Sequence, residues 1–130
     1  MPRNLGRVLV VEDDPDLVAV LEYALRRAGA EDVVVARDGF AALSLARRKN
    51  PDLILLDLMI PGVDGLEVAR HLRAGPPVVT APIVFITAAT SAFRDRTPEE
   101  CGAIGLLPKP FDAATVARDL LRLLERHAGG

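Results

Sequence analysis

Short, unbroken runs of apolar residues recur along the chain, and polar or turn-forming residues end each of them. Four runs cover 8–11, 33–36, 53–56 and 83–86, and the pair Leu106-Leu107 is a shorter fifth. Such runs, rich in β-branched residues, are typical of strands that are buried on both faces of a parallel sheet. The pattern therefore predicts five buried strands.

Between these runs, apolar residues recur at helical spacing, and the segments carry helix end signals. The first segment has Asp14 as a candidate N-cap, Pro15 at its first position and Gly29 at its end, and these residue types suit those positions. Three further helices are predicted over 39–49, over 66–73 and, with Asp112 as its cap, near the end of the chain.

The segment 88–101 has a weaker pattern. Ser91 is a candidate cap for a short helix, but Pro98 limits the length of any helix here because proline interrupts helical hydrogen bonding. We expect a short, displaced or mobile helix. The four phenylalanines, Phe40, Phe85, Phe93 and Phe111, are expected to pack in the core or against loops, and Phe93 is also a candidate for an exposed contact with a partner.

Strand and helix alternate five times, which predicts an α/β protein with a parallel sheet covered on both faces. The chain has 130 residues, enough for one domain with a single sizeable core. We expect one domain over residues 1–130, with its core at about 6–127. The chain ends shortly after the last predicted helix, which leaves open whether it stands alone or belongs to a longer protein.

Composition excludes several classes of protein. Half of the residues are apolar and 26% are charged, as in soluble globular proteins. The net charge is −2, so neither nucleic acid nor a membrane is expected as a direct partner. Cys101 is the single cysteine, which fits a reducing cytoplasm. No apolar stretch is long enough for a membrane span or a signal peptide.

Polar side chains follow the predicted strands at the point where each strand ends. Glu12 and Asp13 follow the first, Asp57 the third, Thr87 the fourth, and Lys109 comes just after the fifth. The carboxyl ends of parallel strands meet at one edge of a sheet, and open α/β sheets bind their ligands there. We therefore expect these five residues to lie close together.

This set of residues suits phosphoryl chemistry. Neighbouring carboxylates repel one another, and a divalent cation, Mg²⁺ or Mn²⁺, relieves that repulsion. Beside such a cation, Asp57 can act as a nucleophile and form an acyl phosphate. Lys109 supplies further positive charge, and Thr87 offers a hydroxyl to a phosphoryl oxygen.

Acidic residues that follow strands also serve as helix caps, and this is the simpler alternative. It suits Asp14 well and Asp13 passably. It does not account for Asp57, which precedes Leu-Met-Ile rather than a helix, or for Lys109, which lies between two prolines.

Four segments resemble the receiver domain of bacterial response regulators, the CheY-like family of two-component signalling. They are VLVVEDD at 8–14, LLDLMIPGVDG at 55–65, ITA at 86–88 and PKPF at 108–111. Their order and spacing are together far more specific than any one motif, and the resemblance covers about residues 6–127. It implies a flavodoxin-like (βα)5 fold, a doubly wound five-stranded parallel sheet with strand order 2-1-3-4-5.

The resemblance also implies roles for single residues. Asp57 resembles the phosphoacceptor, Thr87 the switch hydroxyl and Lys109 the phosphate-pairing lysine, with a cis peptide before Pro110. The metal site that it implies consists of Asp57 itself, Asp13 as a direct ligand, Glu12 acting through water, and the backbone carbonyl of Met59.

Members of this family take the phosphoryl group from a sensor histidine kinase or a histidine phosphotransfer protein. They signal to a downstream output domain or protein. They are not conventional enzymes, although they catalyse their own phosphorylation from small phosphodonors and their own dephosphorylation. Phosphorylation biases a surface formed by the fifth strand and the helices beside it, which leaves a homodimer open.

Two alternatives from other classes fit less well, and a third stays open. An Asp-nucleophile phosphatase of the haloacid dehalogenase type needs a second Asp where this chain has Met59. A flavin- or nucleotide-binding protein of this fold needs a phosphate loop where this chain has EDDPD. A receiver-like interaction module that works without phosphorylation stays open, because Leu106 stands where many receivers carry a Tyr or Phe that moves with the switch hydroxyl.

Overall fold

The predicted alternation of strands and helices is present in a computed structural model, which describes residues 4–88, 93 and 95–129. The described residues form five strands and four α-helices. The strands are β1 Gly6–Val11, β2 Ala30–Ala36, β3 Leu53–Asp57, β4 Ile83–Thr87 and β5 Gly105–Pro108. The helices are α1 Pro15–Arg27, α2 Gly39–Lys49, α3 Gly65–Ala74 and α4 Ala113–Gly129.

All strand pairs are parallel, and the order across the sheet is β2-β1-β3-β4-β5. One row of paired residues crosses the whole sheet, through Val35, Val10, Leu55, Val84 and Gly105. β2 is added on one side of β1, whereas β3, β4 and β5 are added one after another on its other side. The strand order therefore reverses between β1 and β3. At such a switch point the connections leave in opposite directions, and a crevice opens at the carboxyl ends of the two strands. The predicted flavodoxin-like order is confirmed.

The strands separate the apolar core into two layers, because successive side chains point to opposite faces. In β1, Val8 and Val10 pack on the face covered by α1 and α4, whereas Leu9 and Val11 pack on the face covered by α2 and α3. All four side chains are buried. Both faces of the sheet are thus apolar, which explains the unbroken apolar runs in the sequence and confines polar side chains to the strand ends.

Aspartates cap all four α-helices of the described chain, and the caps at Asp14 and Asp112 are those predicted from the sequence. Asp14 accepts a hydrogen bond from the Asp16 N–H, Asp38 from the Ala41 N–H and Asp112 from the Thr115 N–H, at 2.8–2.9 Å. These carboxylates satisfy backbone donors that the first helical turn leaves unpaired. Among the helices of the described chain, none combines the length and apolarity needed to cross a bilayer.

The connection from β4 to β5 differs from the other crossovers. In its described part, a short 3-10 helix covers Glu99–Cys101 and no regular helix runs through Pro98, as predicted. Ser91, the candidate cap, lies outside the described residues. The expected packing of Phe93 is confirmed, and its alternative role as an exposed contact is not: its side chain is 5% exposed, and its ring lies 5.7 Å from that of Phe85, a buried residue of β4.

A close contact at Gly65 holds the start of α3 against the end of β3. A Cβ atom there would lie 2.6 Å from Leu58 Cα and 2.8 Å from the Asp57 carbonyl oxygen. We expect Gly65→Ala to lower the free energy of unfolding by about 1–3 kcal/mol, a usual cost of overpacking. Urea denaturation measures this change.

Gly129→Ala is the matched control, because nothing lies within 4 Å of a Cβ atom at Gly129. It should leave the unfolding midpoint nearly unchanged. Equal midpoints for the two variants would contradict the steric role of Gly65.

Candidate functional site

The polar strand ends converge at the switch point, as expected from their positions in the sequence. Glu12 directly follows β1, Asp57 is the last residue of β3 and Thr87 is the last residue of β4. Lys109 follows β5, and its backbone N–H donates to the Thr87 carbonyl oxygen at 3.0 Å. The parallel sheet therefore collects residues that are up to 97 positions apart in the chain, since Glu12 and Lys109 differ by that number.

Lys109 forms ion pairs with two buried carboxylates. Its Nζ atom lies 2.9 Å from Asp57 Oδ2 and 3.0 Å from Glu12 Oε1. Glu12 and Asp57 are each only 1% exposed. A buried charge is costly unless it is paired and hydrogen-bonded, so the ammonium group offsets the cost of burying these two carboxylates side by side.

Backbone N–H groups orient the other oxygen of each carboxylate. Glu12 Oε2 accepts hydrogen bonds from Asp13 N at 3.1 Å and from Asp14 N at 3.2 Å. Asp57 Oδ1 accepts from Met59 N at 2.9 Å. Hydrogen bonds to an ionised acceptor are stronger than those between neutral groups, so both side chains are fixed before any ligand arrives.

The pKa values of the paired groups reflect opposing effects. Burial raises the pKa of Glu12, and its contacts with Lys109 and the Asp14 N–H only partly offset this. For Lys109, burial alone lowers the pKa, but hydrogen bonds to Asp57 and Glu12 outweigh it, and the net pKa is raised. Lys109 therefore stays positively charged near neutral pH.

The acidic cluster has the composition of a divalent-cation site. Glu12, Asp13 and Asp57 each place a carboxylate oxygen within 4.8 Å of the others, and Asp13 is exposed to solvent. Three carboxylates and the Lys109 ammonium leave a formal surplus of two negative charges, which one divalent cation would neutralise. Hard oxygen donors of this kind suit Mg²⁺.

One buried oxygen in the cluster has spare acceptor capacity. Within the part of the chain that the structure describes, Glu12 Oε1 is buried without a hydrogen bond of regular geometry, although the Lys109 ammonium lies 3.0 Å away. Buried acceptors are normally satisfied. A hydrated cation would supply a further donor to this oxygen through one of its waters, beside the Lys109 ammonium, so the residues present fit the group.

Met59 and Thr87 lie at the site, but the roles predicted for them are not decided by the geometry of the site. Met59 is 66% exposed and touches the cluster through its N–H, while the use of its carbonyl as a metal ligand stays a prediction. Thr87 is 1% exposed, and the use of its hydroxyl as a switch likewise stays a prediction. The peptide between Lys109 and Pro110 is cis, as expected.

Sequence reasoning missed the backbone donors of the site. Nothing in the sequence pattern singles out the N–H groups of Asp14 and Met59, because any residue type carries one. Core or loop packing was expected for Phe40, and its ring, although 68% exposed, lies against Gly62 in the loop after Asp57. No sequence signal marks that contact, since it depends on how α2 meets this loop.

The fold and the site together define a class: flavodoxin-like α/β proteins with a lysine-paired acidic cluster at the switch point. Residues 8–121 match the family described as the response regulator receiver domain. This match covers most of the chain, and the chain belongs to that family. It is a receiver domain of two-component signal transduction.

Curated relatives share the receiver but are longer. The DNA-binding response regulator MtrA of Mycolicibacterium smegmatis is 45% identical over 105 residues, which are 81% of this chain and 44% of MtrA. The alkaline phosphatase synthesis transcriptional regulatory protein PhoP of Bacillus subtilis is 38% identical over 120 residues, 92% of this chain and 49% of PhoP. The chain thus spans about half the length of these relatives.

Solved structures agree with the fold. The chemotaxis response regulator CheY4 of Vibrio cholerae has a TM-score of 0.81 and 30% identity, over 92% of this chain and 99% of CheY4. The receiver domain of the sensor histidine kinase PA1611 of Pseudomonas aeruginosa has a TM-score of 0.77 and 34% identity, over 92% of this chain and 97% of that one. The latter structure has a magnesium ion in its active site cleft.

These relatives confirm the resemblance to receiver domains, and they limit the expectation about nucleic acid to the receiver itself. We expected no direct nucleic-acid partner, yet MtrA is described as DNA-binding. The acidic net charge of this chain concerns the receiver portion alone. It therefore says nothing about the remaining half of such relatives, and the exclusion of nucleic acid was too broad.

The raised pKa of Glu12 predicts a pH-dependent effect of Glu12→Gln. The folded protein holds the Glu12 proton more tightly than the unfolded chain does, so ionisation of Glu12 destabilises the fold as pH rises above its ordinary pKa of 4.5. Glutamine does not ionise, so the variant does not lose this part of the free energy of unfolding as pH rises. In EDTA, the free energy of unfolding of Glu12→Gln minus that of the original protein should rise with pH and then level off above the folded-state pKa.

Urea denaturation at several pH values measures this difference. Glu125→Gln on α4, where Glu125 is exposed, controls for the loss of a carboxylate. A Glu12→Gln difference that does not change with pH would contradict a raised pKa.

Proposed function

We propose that Asp57 accepts a phosphoryl group from a histidine of a sensor kinase or phosphotransfer protein, in the presence of Mg²⁺, with Mn²⁺ as a substitute. The observation that carries the proposal is the buried Asp57 carboxylate, held 2.9 Å from Lys109 Nζ inside an acidic cluster. A fixed carboxylate beside compensating positive charge can act as a nucleophile.

In the proposed reaction, a carboxylate oxygen of Asp57 attacks the phosphorus atom. The bond between phosphorus and the donor imidazole nitrogen breaks, and its electron pair stays on that nitrogen. The product is an acyl phosphate on Asp57. Because Lys109 is charged and already adjacent to Asp57, its ammonium group can offset negative charge on the phosphoryl oxygens without moving far. Water later attacks the phosphorus atom, the bond between phosphorus and the Asp57 oxygen breaks, and inorganic phosphate leaves, which restores the carboxylate.

We assign the metal to the carboxylates of Asp13 and Asp57, to the Met59 carbonyl, and to Glu12 through water. When bound, the cation supplies positive charge to the oxygens of the transferring group. The surplus of two negative charges in the cluster supports this assignment. Asp13 is the exposed member of the set, so a hydrated ion can reach the site from solvent.

For signal output, we propose that the Thr87 hydroxyl contacts a phosphoryl oxygen and that the change reaches the surface around β5 and α4. That surface would bind an output domain or protein, or a second copy of this chain. MtrA is DNA-binding and PhoP is a transcriptional regulator, so a transcriptional output is the proposed readout. The proposed compartment is the cytoplasm, where kinase domains and their phosphodonors meet.

Phosphorylation of Asp57 can be tested with a small phosphodonor. Acetyl phosphate with Mg²⁺ should add the mass of one phosphoryl group to the original protein but not to Asp57→Asn, because the amide is a poor nucleophile. Intact-protein mass spectrometry measures the change. Asp119→Asn on α4 is the control and should still be modified.

The result distinguishes the proposal from its alternative. No Mg²⁺-dependent mass increase in the original protein would overturn the phosphoacceptor role. It would favour an interaction module that works without phosphorylation.

The metal assignment has its own test. Mg²⁺ binds the folded protein, so it should raise the melting temperature by mass action. Asp13→Asn should reduce this increase strongly by removing a direct ligand. Asp16→Asn is a matched control, since it removes the same charge from an exposed position three residues along the chain. Equal Mg²⁺ responses in the two variants would rule out Asp13 as a ligand.

A further inference from the structure

The loop that follows Asp57 is supported by an element outside the acidic cluster. Phe40, in the first turn of α2, lies against Gly62 in the middle of this loop. A Cβ atom at Gly62 would be 3.2 Å from Phe40 Cδ2 and 3.3 Å from Cε2, which is closer than ordinary contact. Gly62 also has a φ of +85°, a conformation that glycine adopts readily. Glycine therefore allows the phenyl ring to rest directly on the loop backbone.

A hydrogen bond and a second close approach accompany the ring contact. The Gly39 N–H donates to the Pro61 carbonyl oxygen at 3.0 Å. A Cβ atom at Gly39 would collide with the Val63 carbonyl oxygen and lie 2.8 Å from Val63 Cβ. The N-terminus of α2 thus touches three consecutive residues of the loop, Pro61, Gly62 and Val63.

The rest of the loop is anchored within the site itself. At its beginning, the Leu58 N–H donates to the Ile86 carbonyl oxygen at 3.1 Å and the Met59 N–H to Asp57 Oδ1 at 2.9 Å. At its end, Asp64 caps α3 through the Leu66 N–H. Between these anchors, the described contacts of the loop backbone come from α2. The side chains of Ile60 and Val63 also pack into the core below, so Gly39 and Phe40 hold the loop from its outer side while the core holds it from within.

The high exposure of the Phe40 side chain shows that its contact with the loop is not part of the packing of the core. Its ring is 68% exposed, so it removes little apolar surface from water and contributes little to global stability. An exposed aromatic ring that stabilises little but lies on the loop beside the nucleophile can act on the local geometry of that loop.

We infer that Phe40 is a positioning residue for the loop that follows Asp57. Its ring keeps the loop in the conformation that presents Met59 and Asp57 to the metal and to the phosphoryl group. The part that concerns metal and phosphoryl group rests on the function proposed for Asp57. The part that concerns loop order does not, because it applies to the metal-free protein.

The first experiment is amide hydrogen exchange on metal-free Phe40→Ala. The Gly39 N–H, which donates to the Pro61 carbonyl oxygen in the loop, should exchange roughly three- to tenfold faster. Effects of this size are usual when a residue outside a site is changed. The Ala41 N–H should change little, because its acceptor is Asp38 of the same helix. Phe40→Tyr keeps the ring and should restore slow exchange at Gly39.

The second experiment measures Mg²⁺ affinity and the lifetime of the phosphorylated protein. Phe40→Ala should weaken Mg²⁺ binding by a similar factor and change the rate of dephosphorylation, while the urea midpoint stays close to the original. Tyr23→Ala is the matched control, because Tyr23 is also exposed, at 58%, but lies on α1 against Arg27. It should leave all three quantities unchanged.

The two proposals fail in different ways. If Phe40→Ala leaves both the exchange rate of the Gly39 N–H and the Mg²⁺ affinity equal to those of the unsubstituted protein, the positioning role is overturned. Failure of the original protein to become phosphorylated would instead overturn the function proposed for Asp57, and the exchange result would still decide the role of Phe40.

Discussion

The structure depends on one electrostatic constraint: two carboxylates are buried side by side and share a single ammonium group. Glu12 and Asp57 are both 1% exposed, and Lys109 Nζ lies within 3.0 Å of each. Removing the ammonium group would leave both buried carboxylates without a compensating charge, and loss of the partner of a buried charge typically costs about 3–5 kcal/mol. The surrounding fold must therefore hold three side chains from three separate strand ends in register.

The sheet meets this requirement by excluding polar residues from its interior. Side chains on both faces are apolar and buried over residues 8–11 of β1 and 53–56 of β3, so the first position beyond them at which an acid can stand is the carboxyl end of the strand. The strand order places β1 beside β3, which brings Glu12 next to Asp57. Lys109 arrives from β5, beyond β4, and its long side chain spans the remaining distance.

Much of this arrangement could be predicted from the sequence, and the exceptions have a common cause. Apolar runs predicted the strands, and aspartates before helical segments, such as Asp14 and Asp112, predicted caps, since both signals are local. Packing was expected for Phe40 and Phe93, but the loop that Phe40 contacts and the ring that Phe93 meets could not be predicted, because they depend on which elements meet in three dimensions. The exclusion of nucleic acid failed for another reason: net charge describes only the residues counted.

Lysine is better suited than arginine to the position of Lys109, and the geometry shows why. An ammonium group is a compact charge with donors that can turn toward separate acceptors, whereas a guanidinium group is a planar fork that favours two oxygens of one carboxylate. Here one Nζ atom serves Asp57 Oδ2 and Glu12 Oε1 at nearly equal distances. The side chain is also 18% exposed, so it borders solvent and can follow a group added to Asp57. A bidentate arginine held by Glu12 would remain bound to that acid, and the positive charge beside Asp57 would be lost.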